Sequence, residues 1–407
     1  MKIRKEHRIA KRIFITAIII VAISVLSIVA WYIYHQFNTE NTAKAPAAVE
    51  KVIPHPVSLK SDVMTTGNIF WGRYMNDWAM ASPLKYEYPF SRLNEFGRDK
   101  YDAWIAGLEC PTKSGVHMTS AEMEVALQFN CSPEYLPEAA KWFNIVSLAN
   151  NHTDNQGVDG FAETQEALDK NGIQYFGHYD PRALNDICEV ISLPVTVTSS
   201  DDSITKGNLP VALCGYHGVF RIPPTESLEL MEKYSKIMPV IAFPHMGVEY
   251  QPAPDELKTS VYRSMIDHGA DMVIGDHPHW IQTTESYKGH LIVYSMGNFM
   301  FDQQDTPEVV RSAAIHILIQ TDKADKTQLS KWLSLGDKCK SYHDTCLEQA
   351  ESEGLTKLPL TYKFGVVGSN DANKITKPAT AAELSSILQR MNWQSTMNQL
   401  QPPYSSL

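Results

Sequence analysis

Six short apolar runs in this chain lead into side chains able to bind a cation or move a proton. SDVMTTGNI ends near Asn68, and DAWIAGLE ends in Glu109. FNIVSLAN ends in Asn150, with Asn151 and His152 next. PVIAFPH ends in His245, and Glu249 follows. ADMVIGDH leads into His277 and His279, two apart across a proline. HLIVYSMGN ends in Asn298, with Asp302 close behind. A seventh run, LPVALCGY, ends in no such residue. Neutral imidazoles, a carboxylate and amide oxygens make a mixed nitrogen and oxygen donor set, which suits Zn, Mn or Fe. Two such ions about 3.5–4 Å apart can clamp the attacking and leaving oxygens of a phosphoester. A histidine beside them, here His152, can protonate a leaving group or stabilise its charge.

Each cluster also has a plainer reading. His277 and His279 alone would make a polar turn after a buried strand. Asn150 and Asn151 suit turn chemistry, and of the two Asn151 is the better ligand. Glu109 could be a solvated strand end and His152 a hydrogen-bonded structural residue. Glu249 and Asp302 could equally pair for structure. What favours chemistry is the recurrence of such residues at the ends of successive runs, because ligand sites in α/β proteins gather at the carboxyl ends of strands.

The runs themselves read as strands buried on both faces. GVDGFAETQEALDKNG and PDELKTSVYRSMIDHG read as helices between them, which gives an α/β class. In the tail, about 303–407, RSAAIHILIQT and LPLTYKFGVV read as strands. TAAELSSILQRMNWQ reads as a helix capped near Thr380. The tail either completes the fold or forms a small appendage. His117, His178, His217, His290 and His316 lack a comparable setting and read as structural or exposed.

Charge and composition set the surroundings. The net charge is -10, which argues against a nucleic-acid partner. The chain is 43% hydrophobic, enough for a sizeable core. Residues 1–12 form a basic tail with six Lys or Arg, and Ile13 to Tyr34 runs without a charge. That length spans a bilayer, Trp31, Tyr32 and Tyr34 suit an interfacial belt, and the basic flank keeps the N-terminus inside. Ala43 and Ala45 offer a signal-cleavage pattern, but they lie far beyond the apolar run. Residues 35–60 read as a linker, and a globular domain follows from 61 to 407. Six cysteines fit an oxidising compartment. CKSYHDTC suits a short Cys339–Cys346 loop, with Cys110–Cys131 and Cys188–Cys214 the favoured remaining pairs; other connectivities and free buried thiols stay open. The chain has no H-E-x-x-H, no G-x-S-x-G and no phosphate-cradling glycine loop.

Several motifs stand together in a recognisable order. They are GLECP at 107–111, SLANNHTDNQG at 147–157, HMGVEY at 245–250, GADMVIGDHPHWIQ at 269–282 and YSMGNFMFD at 294–302. This order resembles the CapA family of bacterial capsule proteins, tied to poly-γ-glutamate synthesis and export. The resemblance implies a calcineurin-like metallophosphoesterase fold: a layered sandwich of two β-sheets flanked by helices, here preceded by one transmembrane helix. It implies one or two divalent ions held by Asn68, Glu109, Asn151, His245, His277 and His279. Glu109 would be the shared carboxylate, and His152 and Glu249 the catalytic side chains. Arg73 and Asn298 would orient ligands or touch substrate. Its implied partners are the membrane, the anionic polymer and the membrane subunits of a capsule synthetase.

Three departures matter. Where the family has Gly-Asp, this chain has Gly67-Asn68; where it has Asn-Leu-Glu, this chain has Gly107-Leu108-Glu109. Its His-Trp-Gly reads His245-Met246-Gly247. Asn68 offers a carbonyl oxygen without charge, which weakens one metal position. Asp62 starts its strand and is a poor substitute. Asp276 is nearer, but in an extended segment its side chain would point away from its neighbours'. Two functions therefore stand: a membrane-anchored, outward-facing metal-dependent hydrolase or transferase of capsule production, or a non-catalytic subunit binding polymer and synthetase. A surface phosphoesterase with another substrate is a lesser third.

Overall fold

The computed structural model describes residues 25–33, 56–339 and 345–407, and the chain divides into two units near residue 52. In the first unit, residues 25–33 are helical with exposed side chains, Trp31 and Tyr32 among them. No helix among the described residues is long and apolar enough to cross a membrane. The basic tail, the rest of the expected anchor and the linker up to residue 55 lie outside the described residues.

The second unit is organised around β1 (Pro56–Ile69), a 14-residue strand. Residues 56–60, read from sequence as linker, open this strand, because they pair with later ones. In chain order the other strands are β2 (Ala103–Leu108), β3 (Ile145–Ser147), β4 (Gln174–Phe176), β5 (Cys188–Ser199), β6 (Ile204–His217) and β7 (Val240–His245). Then come β8 (Met272–Ile274), β9 (Thr284–Tyr287), β10 (His290–Val293), β11 (Asn298–Met300), β12 (Arg311–Thr321), β13 (Thr361–Asn370), β14 (Lys377–Pro378) and β15 (Tyr404–Ser406). Hydrogen bonds join these strands into one large mixed sheet that branches at β1.

The branch follows from the length of β1. One of its edges pairs antiparallel with β12, then parallel with β11. Its other edge pairs antiparallel with β5 through Lys60, then parallel with β2 from Val63 onward. From β5 one wing continues through β6, β7, β8, β10 and β9; from β2 the other runs through β3 and β4. The two sheets expected from sequence thus share a strand. Each wing has its own core. The first buries Val195, Leu213, Ile241, Val273 and Ile292 with the tail residues Leu329 and Trp332. The second is aromatic, built on Phe70, Trp71, Trp104, Phe143 and Phe299. Strands β2, β7 and β8 are buried at every residue, as their continuous apolar runs require.

Flanking helices include Gly157–Lys170 and Glu256–Asp267, both expected from sequence. Asp255 caps the latter by accepting from the Lys258 amide at 2.7 Å. The tail runs through the centre of the sheet: β12 lies along β1 from Thr321 opposite Leu59 to Ile315 opposite Thr65. Thr380 and Glu383 form a reciprocal capping box on helix Ala381–Arg390. All six cysteines pair as Cys110–Cys131, Cys188–Cys214 and Cys339–Cys346.

Candidate metal centre

Parallel pairing aligns the ends of β1, β2 and β3 and those of β7 and β8, and two successive antiparallel pairings through β5 give both groups the same direction. Asn68 lies next to the end of β1, and Glu109 follows β2. Asn151 and His152 follow β3, His245 closes β7, and His277 and His279 follow β8. The run HLIVYSMGN is two strands, broken at Gly297 (φ 77), so Asn298 opens β11 instead of ending a strand. It sits in register with Asn68. The close approach needs glycine: a Cβ on Gly67 would lie 1.9 Å from the Gly297 carbonyl oxygen.

Hydrogen bonds fix the tautomers. His245 Nδ1 lies 2.7 Å from Asp276 Oδ1 and 3.3 Å from the Asn150 amide nitrogen; with Asp276 ionised, the Nδ1 hydrogen is directed to it and Nε2 keeps a lone pair. That Nε2 lies 2.7 Å from Asn151 Oδ1 and 3.2 Å from His277 Nδ1. His279 Nδ1 lies 2.8 Å from Asn298 Oδ1, and the Asn298 amide nitrogen donates to Gln303 at 3.0 Å. His279 Nε2 is therefore also a lone-pair atom. It faces Glu109 Oε1 at 3.6 Å and Glu249 Oε1 at 4.0 Å. His152 Nδ1 lies 2.9 Å from Asn155 Oδ1, an oxygen already held as an acceptor by the Phe129 amide at 2.8 Å. Nε2 is the basic nitrogen of His152.

Burial shapes the electrostatics. It pushes His245 and His277 well below the usual imidazole range, and His152 and His279 down to about 4. All four are neutral at pH 7, the form that ligates metals. Burial, reinforced by the charges of Asp276 and Glu249, raises Glu109 well above the carboxylate range. Burial raises Asp276 to about 8, against the pull of Lys258. Burial also raises Glu249.

A divalent cation fits this donor set. Among the described residues no three His, Cys, Asp or Glu side chains form a ready metal group by themselves. Amide oxygens complete the set here. Around His245 Nε2, His277 Nδ1 at 3.2 Å lies within, and Asn151 Oδ1 at 2.7 Å just below, the roughly 3–3.5 Å expected between donors on an ion bonded at about 2.0–2.2 Å. Asn68 Oδ1 and Glu109 Oε2 are buried without a hydrogen-bond partner among the described residues. Buried orphan acceptors beside neutral imidazoles are what a cation would satisfy.

A cavity of about 520 Å³ opens over these strand ends. Arg73, Glu109, Asn151, His152, Glu249 and His279 line it, and the buried Asn68, His245, His277 and Asn298 do not. Arg73 is committed to Asp302 through two hydrogen bonds of 3.0 and 2.6 Å, and its guanidinium lies 4.4 Å from the Phe129 ring centre. Asn298 orients His279. His152 stacks on Phe129, their ring centres 4.0 Å apart. Asn150 serves the turn, its Oδ1 accepting from the His152 amide at 2.9 Å. Asp62 is held at a distance by His316, at 2.8 Å.

The structure corrects the expectation for Asp276. Its segment is not extended: His277 (φ 90) and His279 (φ 59) occupy the left-handed region, as do Arg73 (φ 40) and Tyr250 (φ 57). Such backbone costs roughly 1–3 kcal/mol per residue and gathers at functional sites. Asp276 itself still pairs with His245 as a parallel bridge, its carboxylate between His245 and Gly107, and the left-handed residues after it bring His277 to the same side. Sequence reasoning missed two more residues. Strand β6 continues one residue past LPVALCGY to His217, opposite His245, and its Nε2 is buried without a partner among the described residues. Lys258 is fully buried, its Nζ 3.0 Å from Gln282 Oε1. Its spacing with Tyr262, Met265 and Ile266 on one helical stripe was the available signal.

The bacterial capsule synthesis protein family PGA_cap matches residues 62–213 and 216–303, more than half of the chain. The chain belongs to this family. All the candidate donors of this PGA_cap member lie inside the matched segments. It is 27% identical over 263 residues to "PGA biosynthesis protein CapA" of Bacillus subtilis (strain 168), covering 61% of this chain and 66% of that protein. It is 28% identical over 171 residues to "Capsule biosynthesis protein CapA" of Bacillus anthracis, covering 40% of this chain and 41% of that protein. The matches thus span less than two thirds of these relatives' lengths. A solved structure of a hypothetical protein from Thermus thermophilus aligns with 64% of this chain and 92% of its own, at 16% identity and a TM-score of 0.31, too low to support an argument.

Proposed function

We propose that this protein is a membrane-anchored, outward-facing component of poly-γ-glutamate capsule synthesis, export or release, with a metal-dependent hydrolase or transferase site of the metallophosphoesterase kind. The reading rests chiefly on the convergence of His245 Nε2, Asn151 Oδ1 and His277 Nδ1 beneath the cavity. These three would hold one cation, and Glu109, His279 and Asn68 a second. The cation, Mn, Zn or Fe, would polarise a scissile bond or offset the charge of an anionic polymer. His152, neutral and carrying its basic nitrogen at Nε2, would take or return the proton of the reacting group. Glu249 stands across the cavity near His279 and would hold a second proton or a water. Arg73 would contribute positive field to the cavity without leaving Asp302. The disulfides and the basic flank before the apolar run support an extracytoplasmic domain behind a single anchor.

A second reading is favoured by Asn68, a neutral side chain where charge is wanted. The same site would then bind polymer and synthetase subunits without turnover. Metal content separates the two. The detergent-purified full chain, dialysed against Mn²⁺ and measured by elemental mass spectrometry, should carry one or two ions. No bound ion in the natural chain, with an ion gained by Asn68→Asp, would favour the non-catalytic subunit.

A further inference from the structure

Position 107 has no side chain, and the space where its Cβ would lie is taken. Asp276 Oδ2 lies 2.2 Å from that point, and Asn68 Oδ1 lies 3.6 Å from it. No side chain larger than glycine fits there while Asp276 keeps its orientation. The other oxygen of Asp276 holds His245 Nδ1 at 2.7 Å. Asp276 is 1% exposed and is bridged in parallel to His245, which sets its carboxylate beside the His245 ring. One Asp276 oxygen thus faces a candidate cation ligand, and the other shares the space over Gly107 with the Asn68 oxygen, which has no hydrogen-bond partner among the described residues.

We propose that Asp276 is the carboxylate that charges this site, standing in the gap left by Gly107 and supplying the negative charge that Asn68 lacks. The inference deepens the metal-centre reading and rests on it. The donors from Asn68, Asn151, His245, His277 and His279 are all neutral, so Glu109 alone would oppose a doubly charged ion. Asp276 adds a second carboxylate to the site, one that a cation bound beside it would hold in its ionised form. It acts from two directions. Through Oδ1 it fixes the His245 tautomer that presents Nε2, as carboxylate–histidine pairs do at metal sites. Through Oδ2 it places charge beside Asn68, where a carbonyl oxygen can contribute only a dipole. Gly107, Asn68 and Asp276 then form one unit, in which the glycine makes room, the amide tolerates a neighbouring carboxylate, and the aspartate carries the charge. An aspartate at position 68 would set two carboxylates against each other across that gap.

The test is Mn²⁺ affinity, measured by calorimetry on the detergent-purified full chain, with circular dichroism and thermal melts to show that each variant is folded. Asp276→Asn should weaken Mn²⁺ binding about 10–100-fold, the usual loss when a partner of a metal-bound histidine is removed. Gly107→Ala, which keeps both carboxylates but displaces Asp276, should weaken it as well. The double variant Asn68→Asp/Asp276→Asn should regain most of the lost affinity, which a purely structural role of Asp276 would not allow. Asp276→Asn binding Mn²⁺ as tightly as the natural chain would overturn the proposal and leave the metal reading standing. Failure of the double variant to recover would overturn the charge assignment. A natural chain that binds no Mn²⁺ would overturn both.

Discussion

Removing the Cys110–Cys131 disulfide should loosen the wall of the cavity by an amount that loop length sets. The bond closes a segment with a sequence separation of 21. Chain-entropy arithmetic for such a loop gives about 3.3 kcal/mol at 25 °C. Spread over a unit of about 350 residues, whose unfolding entropy is roughly 2 cal/mol/K per residue, that is a fall in Tm of about 4–5 °C. The loop carries Leu127, Gln128 and Phe129, which line the cavity. Phe129 in turn stacks on His152 and covers Arg73. The variant Cys110→Ala/Cys131→Ala should therefore lose both Tm and cation affinity. A control comes from Cys339–Cys346, with a separation of only 7, for which the same arithmetic gives about 2.4 kcal/mol. Its removal should cost less Tm and leave cation binding unchanged. Tryptophan fluorescence melts and Mn²⁺ calorimetry on the two double variants provide the comparison. A smaller Tm loss for the longer loop than for the shorter one would refute the entropic reasoning. An unchanged Mn²⁺ affinity in the first variant would refute the link from disulfide to cavity.

Asp302→Ala leaves the Arg73 guanidinium buried and unpaired, so urea denaturation should report a loss of about 3–5 kcal/mol, and Arg73→Met/Asp302→Leu should lose much less. Lys258 titrates near 10.4 when unfolded and is brought down to about 7 in the fold by burial. Between those values the unfolded chain binds more protons, so this residue makes stability rise with pH. Lys258→Met should be the more stable protein at pH 6, by an amount on the order of a few kcal/mol, with the advantage fading as pH approaches 10. A gap independent of pH, in denaturant titrations across that range, would contradict it. In intact cells, added protease should cleave the chain beyond residue 60; cleavage only after lysis would defeat the outward-facing orientation.

The candidate donors were legible as a group because strand ends leave a repeated signature. A continuous apolar run followed at once by Glu109, by Asn151 or by His245 is visible without a structure. The path of the chain between those ends was harder to see. HLIVYSMGN looks continuous, yet Gly297 breaks it and sends Asn298 across to Asn68. Asp276 looked outward because period-two alternation assumes extended backbone, and the positive φ of His277 and His279 cancels that assumption. His217 was hidden by one residue of strand length. Lys258 was hidden by its charge: a lysine on an apolar stripe is normally read as the edge of the solvated face, and only packing shows that it is enclosed. The branch at β1 depends on pairings between residues more than a hundred positions apart, such as Leu59 with Val197 and with Thr321, and no local pattern records them.

The parallel pairing of Asn68 with Asn298 sets an order of events during biogenesis. Asn68 belongs to the first strand of the domain to emerge, yet its neighbour on the sheet emerges 230 residues later. The remaining donors arrive at intervals between them, and each depends on a strand that pairs with others from distant parts of the chain. No early fragment of the nascent chain holds the donor set. For a chain exported unfolded through a membrane, cation capture can only follow export and closure of the sheet. Under the proposed outward orientation, the ion would then be chosen by the medium outside the cell and not by the metal pools of the cytoplasm.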